Sequence, residues 1–521
     1  MLRLGKTAFA LALALPVPAL AQDAQTLVIG RAMDVNSLDP ARAFCDTCQF
    51  YLTAVYETLI TLEPDNKTLK PNLAESWENN ADFTEFTFHL KDATFADGSP
   101  VEASDVVWSF ERLKNLKASP SFLMDGLVSA EATDAKTVVV KVDAPNSEFL
   151  FKVSAPYAGI VNADAAKEAG AIADETAAEK DQAEPWFLGA SAGSGPYTLV
   201  KYTPEAELRL ARNDGYWGEK PFFAEVVVSQ IQDAVGQAQA LESGQIDVAM
   251  QIDPDTASSM TNADVVTQVV PSFNFLYIAL SPAAKGAEKL TPKVREALAL
   301  AIDYDGMLDF TVGGNGVKQP APIPNGFPGT AGLTPRSQDL EKAKAMLAEE
   351  GVTDLTLLAM YPNDNVYGVD INVMMQKVQQ DFSAVGVKLD LQPQTYAVWR
   401  ENLSGPDGIP VTAVYYAPDY YGSGQYVAYF GMYEGSPWEN RAGKDTDKAV
   451  DPRIAPLYAK ALAASGAEAD AVYAEIGQAM MDENIIITLV SPNLVLAHRA
   501  DITGVRYSAC CNLPLAEIAR K

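Results

Sequence analysis

Short apolar runs alternate with amphipathic segments along this 521-residue chain. Residues 275–280 form an unbroken apolar run typical of a buried strand, whereas residues 340–350 show helical spacing and stop at Gly351. Residues 355–360 are again typical of a strand, and residues 373–385 again have the spacing of a helix. Such alternation predicts an α/β fold. Because a single hydrophobic core seldom serves a chain of this length, we expect two or three domains.

The N-terminus has the pattern of an export signal. Arg3 and Lys6 give a basic start, residues 9–20 are apolar, and Ala19-Leu20-Ala21 matches the small-x-small motif of signal peptidase. The apolar stretch is too short for a membrane anchor. We predict a signal peptide over residues 1–21 with cleavage after Ala21. Since no Cys follows that site to carry a lipid, we expect a protein that is free in the periplasm.

The acidic composition limits the possible partners. The formal net charge is −29, which argues against binding to nucleic acid or to anionic lipid. The chain holds two histidines, His89 and His498, and no Gly-x-Ser-x-Gly motif, so a serine hydrolase is disfavoured. A hydrolase built on paired carboxylates stays an alternative, since 68 acidic residues guarantee chance pairs. We expect a protein that is not an enzyme and needs no metal or cofactor.

Four cysteines lie in two pairs, Cys45 with Cys48 and Cys510 with Cys511. Disulfides are expected in an exported chain, and four cysteines allow three pairings. One pairing is local at both ends, and the other two tie the N-terminal loop to the C-terminal segment. We favour end-to-end pairing because a bridge between adjacent cysteines is strained. A zinc site or a redox-active pair fits the spacing less well.

Tyrosines concentrate in residues 415–433, which hold seven of the 21 in the chain. Asp419 lies among them, and a carboxylate beside aromatic faces suits an ammonium group through an ion pair and a cation–π contact. We predict that Asp419 binds the ligand together with one or more of Tyr416, Tyr420 and Tyr421. The alternative is an aromatic-rich surface loop and strand.

Five blocks of sequence follow one another between residues 73 and 303. The blocks are LAESW, FTFHLKD, FADGSPV and ASDVV within residues 73–107, GSGPY at 193–197, RNDGYW at 212–217, SGQIDVA at 243–249, and PKVREA with AID within 292–303. In this order they resemble the peptide-binding family (family 5) of extracytoplasmic solute-binding proteins, which serve ABC importers of oligopeptides, dipeptides and nickel chelates. Most of these residues read as scaffold, so they indicate the fold and the class of activity more than the ligand.

The resemblance implies an α/β, two-lobed periplasmic binding protein of the class II (cluster C) type with an extra inserted domain. Its layout places the first lobe at residues 22–60, 190–269 and 489–521, the inserted domain at 61–189, and the second lobe at 270–488. The lobes of such proteins close on a ligand by a hinge motion. Both cysteine pairs fall in the first lobe of this layout, which supports end-to-end disulfides.

The resemblance also implies further ligand contacts. They are Phe44, Cys45, Tyr361, Asn372, Tyr396 and Trp399. In dipeptide-binding relatives an Arg near the start of the helix around residue 372 holds the ligand carboxylate, but here Asn372 stands in that stretch. Arg400 is either a substitute or part of a surface ion pair. A simple dipeptide is therefore disfavoured, and so is nickel, because His89 belongs to a scaffold block and His498 ends a strand.

These features together predict the periplasmic substrate-binding component of an ABC importer. We expect a monomer that captures a small peptide-like or amine-bearing polar solute by lobe closure. It would deliver the solute to a permease and ATPase complex at the inner membrane. An oligosaccharide or another non-peptide solute on the same fold is the alternative.

Overall fold

The structure, a computed structural model, describes residues 25–442, 450–509 and 512–521. The predicted signal peptide and its cleavage site, like Cys510 and Cys511, lie outside these ranges. Across the described ranges, no helix combines the length and the apolar character that crossing a bilayer requires. The chain folds into two lobes, each built on a large mixed sheet, with a smaller sheet formed by residues 74–142.

A seven-stranded sheet forms the core of the first lobe. Its strands lie in the order Val265–Val270, Leu494–Arg499, Val248–Ala249, Thr26–Arg31, Glu225–Gln230, Glu207–Arg212 and Tyr197–Thr203. The strand Thr26–Arg31 runs parallel to both of its neighbours, and the other pairings are antiparallel. Segments from both ends of the described chain therefore meet in one lobe.

A six-stranded sheet forms the core of the second lobe. Its strands lie in the order Gly316–Val317, Ile486–Pro492, Phe275–Leu280, Val411–Tyr416, Leu355–Pro362 and Val387–Gln394. The strand Phe275–Leu280 is buried at all positions, as its unbroken apolar sequence requires. The strand Val411–Tyr416 pairs with it antiparallel and ends at the loop that carries Asp419. The fold thus sets Asp419 three residues beyond a strand that is buried over Val411–Val414 and half-buried at Tyr415 and Tyr416.

The smaller sheet has four antiparallel strands. They lie in the order Ala74–Asn79, Glu85–Leu90, Thr137–Val142 and Leu127–Ala132. Three two-stranded ribbons complete the strands: Ile60–Leu62 with Leu69–Pro71, Asn365–Val366 with Val369–Asp370, and Ile502–Thr503 with Ala519–Arg520. The predicted domain boundaries after residues 60 and 488 fall inside the strands Ile60–Leu62 and Ile486–Pro492.

Helices cover the sheets, and several have side-chain caps. Asp339 and Asp370 accept hydrogen bonds from the backbone N–H groups of Lys342 and Val373, at 2.9 and 3.0 Å, which satisfies donors of the first turn. The α-helices are Asp46–Val55, Ala103–Asn115, Phe149–Lys152, Ala163–Glu168, Ala177–Lys180, Glu184–Phe187, Ala234–Glu242, Pro254–Ser259, Pro292–Ala301, Tyr304–Val312, Leu340–Glu349, Ile371–Ser383, Tyr396–Leu403, Gly424–Phe430, Pro437–Ala442, Ile454–Leu462 and Gly466–Glu483.

A disulfide bond joins Cys45 to Cys48. Cys45 is the N-cap of the helix Asp46–Val55, so less than one helical turn separates the two residues and their Cα atoms lie 5.0 Å apart. The end-to-end pairing favoured from the sequence is therefore wrong for these two cysteines. The C-terminal segment does reach the same helix, where Asn512 Nδ2 donates to Gln49 Oε1 at 2.7 Å. The local pairing is thus found although the C-terminal segment lies against the same helix.

Candidate functional site

A buried carboxylate without a partner marks the cleft between the two lobes. Asp419 is only 5% exposed. Its backbone N–H donates to Gln425 Oε1 at 2.9 Å, whereas its Oδ2 has no hydrogen-bond partner among the described residues. Burial, reinforced by the carboxylate of Asp46, raises the pKa of Asp419 to about 8. A group in this state gains most from a ligand that brings a positive charge.

Asp46 approaches this loop from the first lobe. Its Oδ2 accepts a hydrogen bond from the hydroxyl of Tyr367 in the second lobe, at 3.2 Å. Burial and the neighbouring Asp34 raise the pKa of Asp46 to about 6, against the opposing effects of Arg31 and the Tyr367 hydroxyl. Asp34 is held in place by the backbone N–H of Asp46, which donates to it at 2.9 Å. The two lobes thus bring like charges together in the cleft.

An aromatic wall lines the second-lobe side, formed by Tyr416, Tyr426 and Tyr429. The ring centroid of Tyr416 lies 5.4 Å from that of Tyr426 and 5.0 Å from that of Tyr429. Burial, with Asp419 nearby, raises the pKa of Tyr416 and Tyr426, so both hydroxyls stay protonated. The buried hydroxyl of Tyr426 has no partner among the described residues. The wall therefore adds an unused polar atom to the unused carboxylate oxygen of Asp419.

Aromatic side chains also border the acidic groups from the other directions. Tyr157 accepts a hydrogen bond from Gln49 Nε2 at 3.2 Å, and its pKa is raised by burial and by Asp419. Tyr367 packs edge-on against Tyr415 with centroids 5.5 Å apart. The carboxylates thus lie among rings whose faces and edges exclude water, and this is the setting in which a cation gains from π contacts.

A second contact, between the part of the chain that carries the smaller sheet and the second lobe, is centred on Glu148. Its carboxylate accepts hydrogen bonds from the backbone N–H of Gly424 at 2.9 and 3.0 Å, the hydroxyl of Tyr473 at 2.8 Å and the hydroxyl of Tyr420 at 3.3 Å. Burial raises the pKa of Glu148, and these donors oppose the rise. A Cβ at position 424 would overlap the carboxylate, so only glycine fits there. Glu148 thus joins the end of the smaller sheet to the second lobe beside the Asp419 loop.

Five of the predicted ligand residues already have a partner for a polar side-chain atom within the protein. The hydroxyl of Tyr420 donates to Glu148, as described. The indole Nε1 of Trp399 donates to Thr412 Oγ1 at 2.8 Å, and the hydroxyl of Tyr421 donates to the carbonyl of Gly326 at 2.9 Å. Tyr361 is buried and its hydroxyl donates to Asn372 Oδ1 at 2.7 Å. The Asn372 side chain thereby has its amide oxygen engaged within the protein.

The other predicted residues are more open. Phe44 is 39% exposed and its ring lies 5.3 Å from that of Tyr157. Tyr396 is 44% exposed and packs on Trp399 with centroids 5.2 Å apart. Cys45 is held by its disulfide next to Asp46. The structure thus brings Asp419, Tyr416, Phe44 and Cys45 to the acidic part of the cleft, and sets Tyr396 away from it.

Sequence reasoning missed Asp34, Asp46, Tyr157, Tyr367 and Tyr426. Asp46 directly follows the predicted contact Cys45, so the loop that carries Asp46 had already been assigned to the ligand site. Tyr367 was not, because its contact with Asp46 joins positions 321 residues apart. The described residues hold no group of three or more His, Cys, Asp or Glu side chains arranged to bind a metal ion.

Comparison with known families gives one match over most of the chain. Residues 68–436 match the family of bacterial extracellular solute-binding proteins, family 5. The chain belongs to this family. The family resemblance read from the sequence blocks and the two-lobed fold of periplasmic binding proteins are thereby confirmed.

Similar proteins are found among characterised chains and solved structures. A probable D,D-dipeptide-binding periplasmic protein of Escherichia coli K12, DdpA, is 29% identical over 407 residues, which cover 77% of this chain and 76% of the relative. A dipeptide-binding protein of the same organism is 28% identical over 434 residues, with the same coverage. The dipeptide-binding protein from Pseudoalteromonas sp. SM9913, in complex with Met-Leu, superposes with a TM-score of 0.81 at 18% identity and covers 95% of this chain and 100% of its own. DppA from Helicobacter pylori, in complex with the peptide STSA, gives 0.80 at 20% identity, with 95% and 98% coverage. At these identities the solved structures establish the fold.

Proposed function

We propose that this family 5 protein is the substrate-binding component of an ABC importer, and that it captures a small peptide-like solute through the ammonium group of the solute. The observation that carries the proposal is the carboxylate of Asp419, which is buried in the cleft without a cation among the described residues. An ammonium bound there would form an ion pair, donate to Oδ2 and rest against the ring of Tyr416.

The relatives support this ligand class. Two of them are named for dipeptide or D,D-dipeptide binding, and two solved structures of the same fold hold a peptide. We infer that the protein acts in the periplasm as a monomer. It hands its solute to a permease and ATPase complex at the inner membrane after the lobes close.

We infer that this protein does not bind the ligand carboxylate in the way that dipeptide-binding relatives do. Asn372 replaces the Arg that holds the ligand carboxylate in dipeptide-binding relatives, and its amide oxygen is engaged by Tyr361. The anionic end of a peptide must therefore be bound elsewhere in the cleft, or not at all.

Isothermal titration calorimetry on the mature protein tests the proposal. The ligands are trialanine, N-acetyl-trialanine and the neutral sugar maltotriose. We expect trialanine to bind at micromolar concentration or tighter, about −8 kcal/mol or better. The N-acetylated peptide should bind at least about 100-fold more weakly, because it removes the charge that Asp419 recognises. Tight binding of maltotriose that Asp419→Asn leaves unchanged would contradict the proposal.

A further inference from the structure

A guanidinium, that of Arg441, lies at the opposite end of the aromatic wall from Asp419. Arg441 belongs to the helix Pro437–Ala442 and is half-buried. Its Nη1 donates to the hydroxyl of Tyr429 at 3.1 Å, and its Cζ lies 5.4 Å from the centroid of the Tyr429 ring and 5.0 Å from that of Trp438. No carboxylate of the described residues pairs with it.

The other arginines of this region differ from Arg441. Arg31 pairs with Asp34 at 3.5 Å, and Arg453 pairs with Asp451 at 2.6 Å. Arg400, the candidate from the sequence, lies near Tyr396 but is exposed, so that water competes for its donors. Arg441 therefore combines partial burial with a charge that no carboxylate of the described ranges neutralises.

The setting of Arg441 suits a carboxylate ligand. A guanidinium carries five N–H donors in a planar fork, and the described structure occupies only one of them, with Tyr429. The guanidinium lies within 5.4 Å of both ring centroids, and among the described residues its other N–H donors have no hydrogen-bond partner. A carboxylate matches the edge of such a fork with two parallel hydrogen bonds, and it would offset the cost of keeping a partly buried cation without an anion.

The path along the wall limits the length of the ligand. Asp419 follows Tyr416 by three residues, the Tyr416 ring packs against Tyr429, and Tyr429 packs against Arg441, so the two charges lie within roughly 20 Å of each other. An extended peptide spans about 3.3–3.6 Å per residue. We propose that Arg441 binds the carboxylate of the ligand, so that the cleft selects short extended zwitterions of no more than about five residues. This inference rests on the proposed function.

The test pairs a change in the protein with a change in the ligand. Calorimetry measures trialanine and tetraalanine, each as the free acid and as the C-terminal amide, on the wild type and on Arg441→Gln. We expect the wild type to prefer the acid by about 10- to 100-fold. Arg441→Gln should weaken binding of the acid by the same factor and leave the amide within about three-fold, so that the preference disappears.

Two further variants keep the result decisive. Arg400→Gln is the matched control and should keep the preference for the acid; if it loses the preference and Arg441→Gln keeps it, the assignment is overturned. Arg441→Lys retains the charge without the fork and should give an intermediate preference, and it replaces the Gln variant if that one does not fold. A wild type that binds acid and amide equally refutes the role of Arg441 while the contrast with N-acetyl-trialanine still supports Asp419. A wild type that binds no peptide refutes both.

Discussion

Replacing Asp419 by Asn should change folding stability and ligand binding in opposite directions. In the folded, empty protein, burial and Asp46 raise the pKa of Asp419 from its ordinary 3.8 to about 8. Because the folded pKa lies above the unfolded one, the favourable contribution of the protonated form is complete below about pH 3.8 and is lost as the pH rises through about 8. At pH 7 the wild type therefore carries a penalty of up to about 4 kcal/mol, at about 1.4 kcal/mol for each pKa unit.

The Asn side chain removes that penalty and leaves the shape of the loop intact. We expect the melting temperature of Asp419→Asn to lie several degrees above that of the wild type at pH 8 and to equal it near pH 4. Differential scanning calorimetry across this pH range measures the effect. The exposed Asp354→Asn serves as control and should shift neither curve, because its carboxylate is mostly in water.

Binding should respond with the opposite sign. A ligand ammonium needs Asp419 ionised, so the affinity of the wild type for trialanine should rise up to about ten-fold per pH unit between pH 6 and pH 8. Asp419→Asn should lose this slope and weaken binding by about 3–5 kcal/mol, since an ammonium would then be buried without its anion. A variant that is no more stable than the wild type at pH 8, or that binds trialanine as tightly, would refute the reasoning.

Three other perturbations test the scaffold around the site. Glu148→Ala leaves the Gly424 N–H and two tyrosine hydroxyls without their acceptor, so calorimetry should show trialanine binding about ten-fold more weakly or worse. Unchanged affinity for trialanine would mean that this contact does not support closure of the lobes. Without reduction, the tryptic peptide 43–67 should resist alkylation at Cys45 and Cys48, and replacing both by Ser should cost about 2 kcal/mol in urea unfolding. Buried Arg112 donates hydrogen bonds to the carboxylates of Asp39 at 2.7 Å and Asp181 at 2.9 Å. Arg112→Met removes this partner from both, so the free energy of unfolding in urea should fall by about 3–5 kcal/mol. A loss below about 1 kcal/mol would show that the surrounding side chains rearrange to compensate.

Local patterns predicted the elements that lie in the core. The strand Phe275–Leu280 was placed correctly at both ends, because an apolar run bounded by polar residues leaves little choice of register. The first helix spans Asp46–Val55, and its start does not follow from the sequence pattern. Its true start depends on the sulfur of Cys45, which accepts a hydrogen bond from the backbone N–H of Cys48, and sulfur is not among the capping groups that a sequence suggests.

The candidate site was only half predictable. Asp419 stood out because a carboxylate among tyrosines already suggests a chemistry. Its neighbour Asp46 gave no such signal, since a single acidic residue in the first turn of a helix is ordinary. The role of Asp46 appears only when the lobes meet and Tyr367 reaches it, and a meeting of that kind depends on how whole domains pack.

Because Asp46 and Asp419 lie on different lobes, the charge that the ligand brings also determines whether the lobes close. In the empty protein each step toward closure brings the two carboxyl groups nearer, so closing costs either their mutual repulsion or the uptake of a proton by Asp419, and the separated lobes are favoured. An ammonium between them turns that repulsion into attraction from both sides. A neutral molecule of the same shape would occupy the cleft without attracting the two carboxyl groups. The importer would then meet an occupied protein that has not closed.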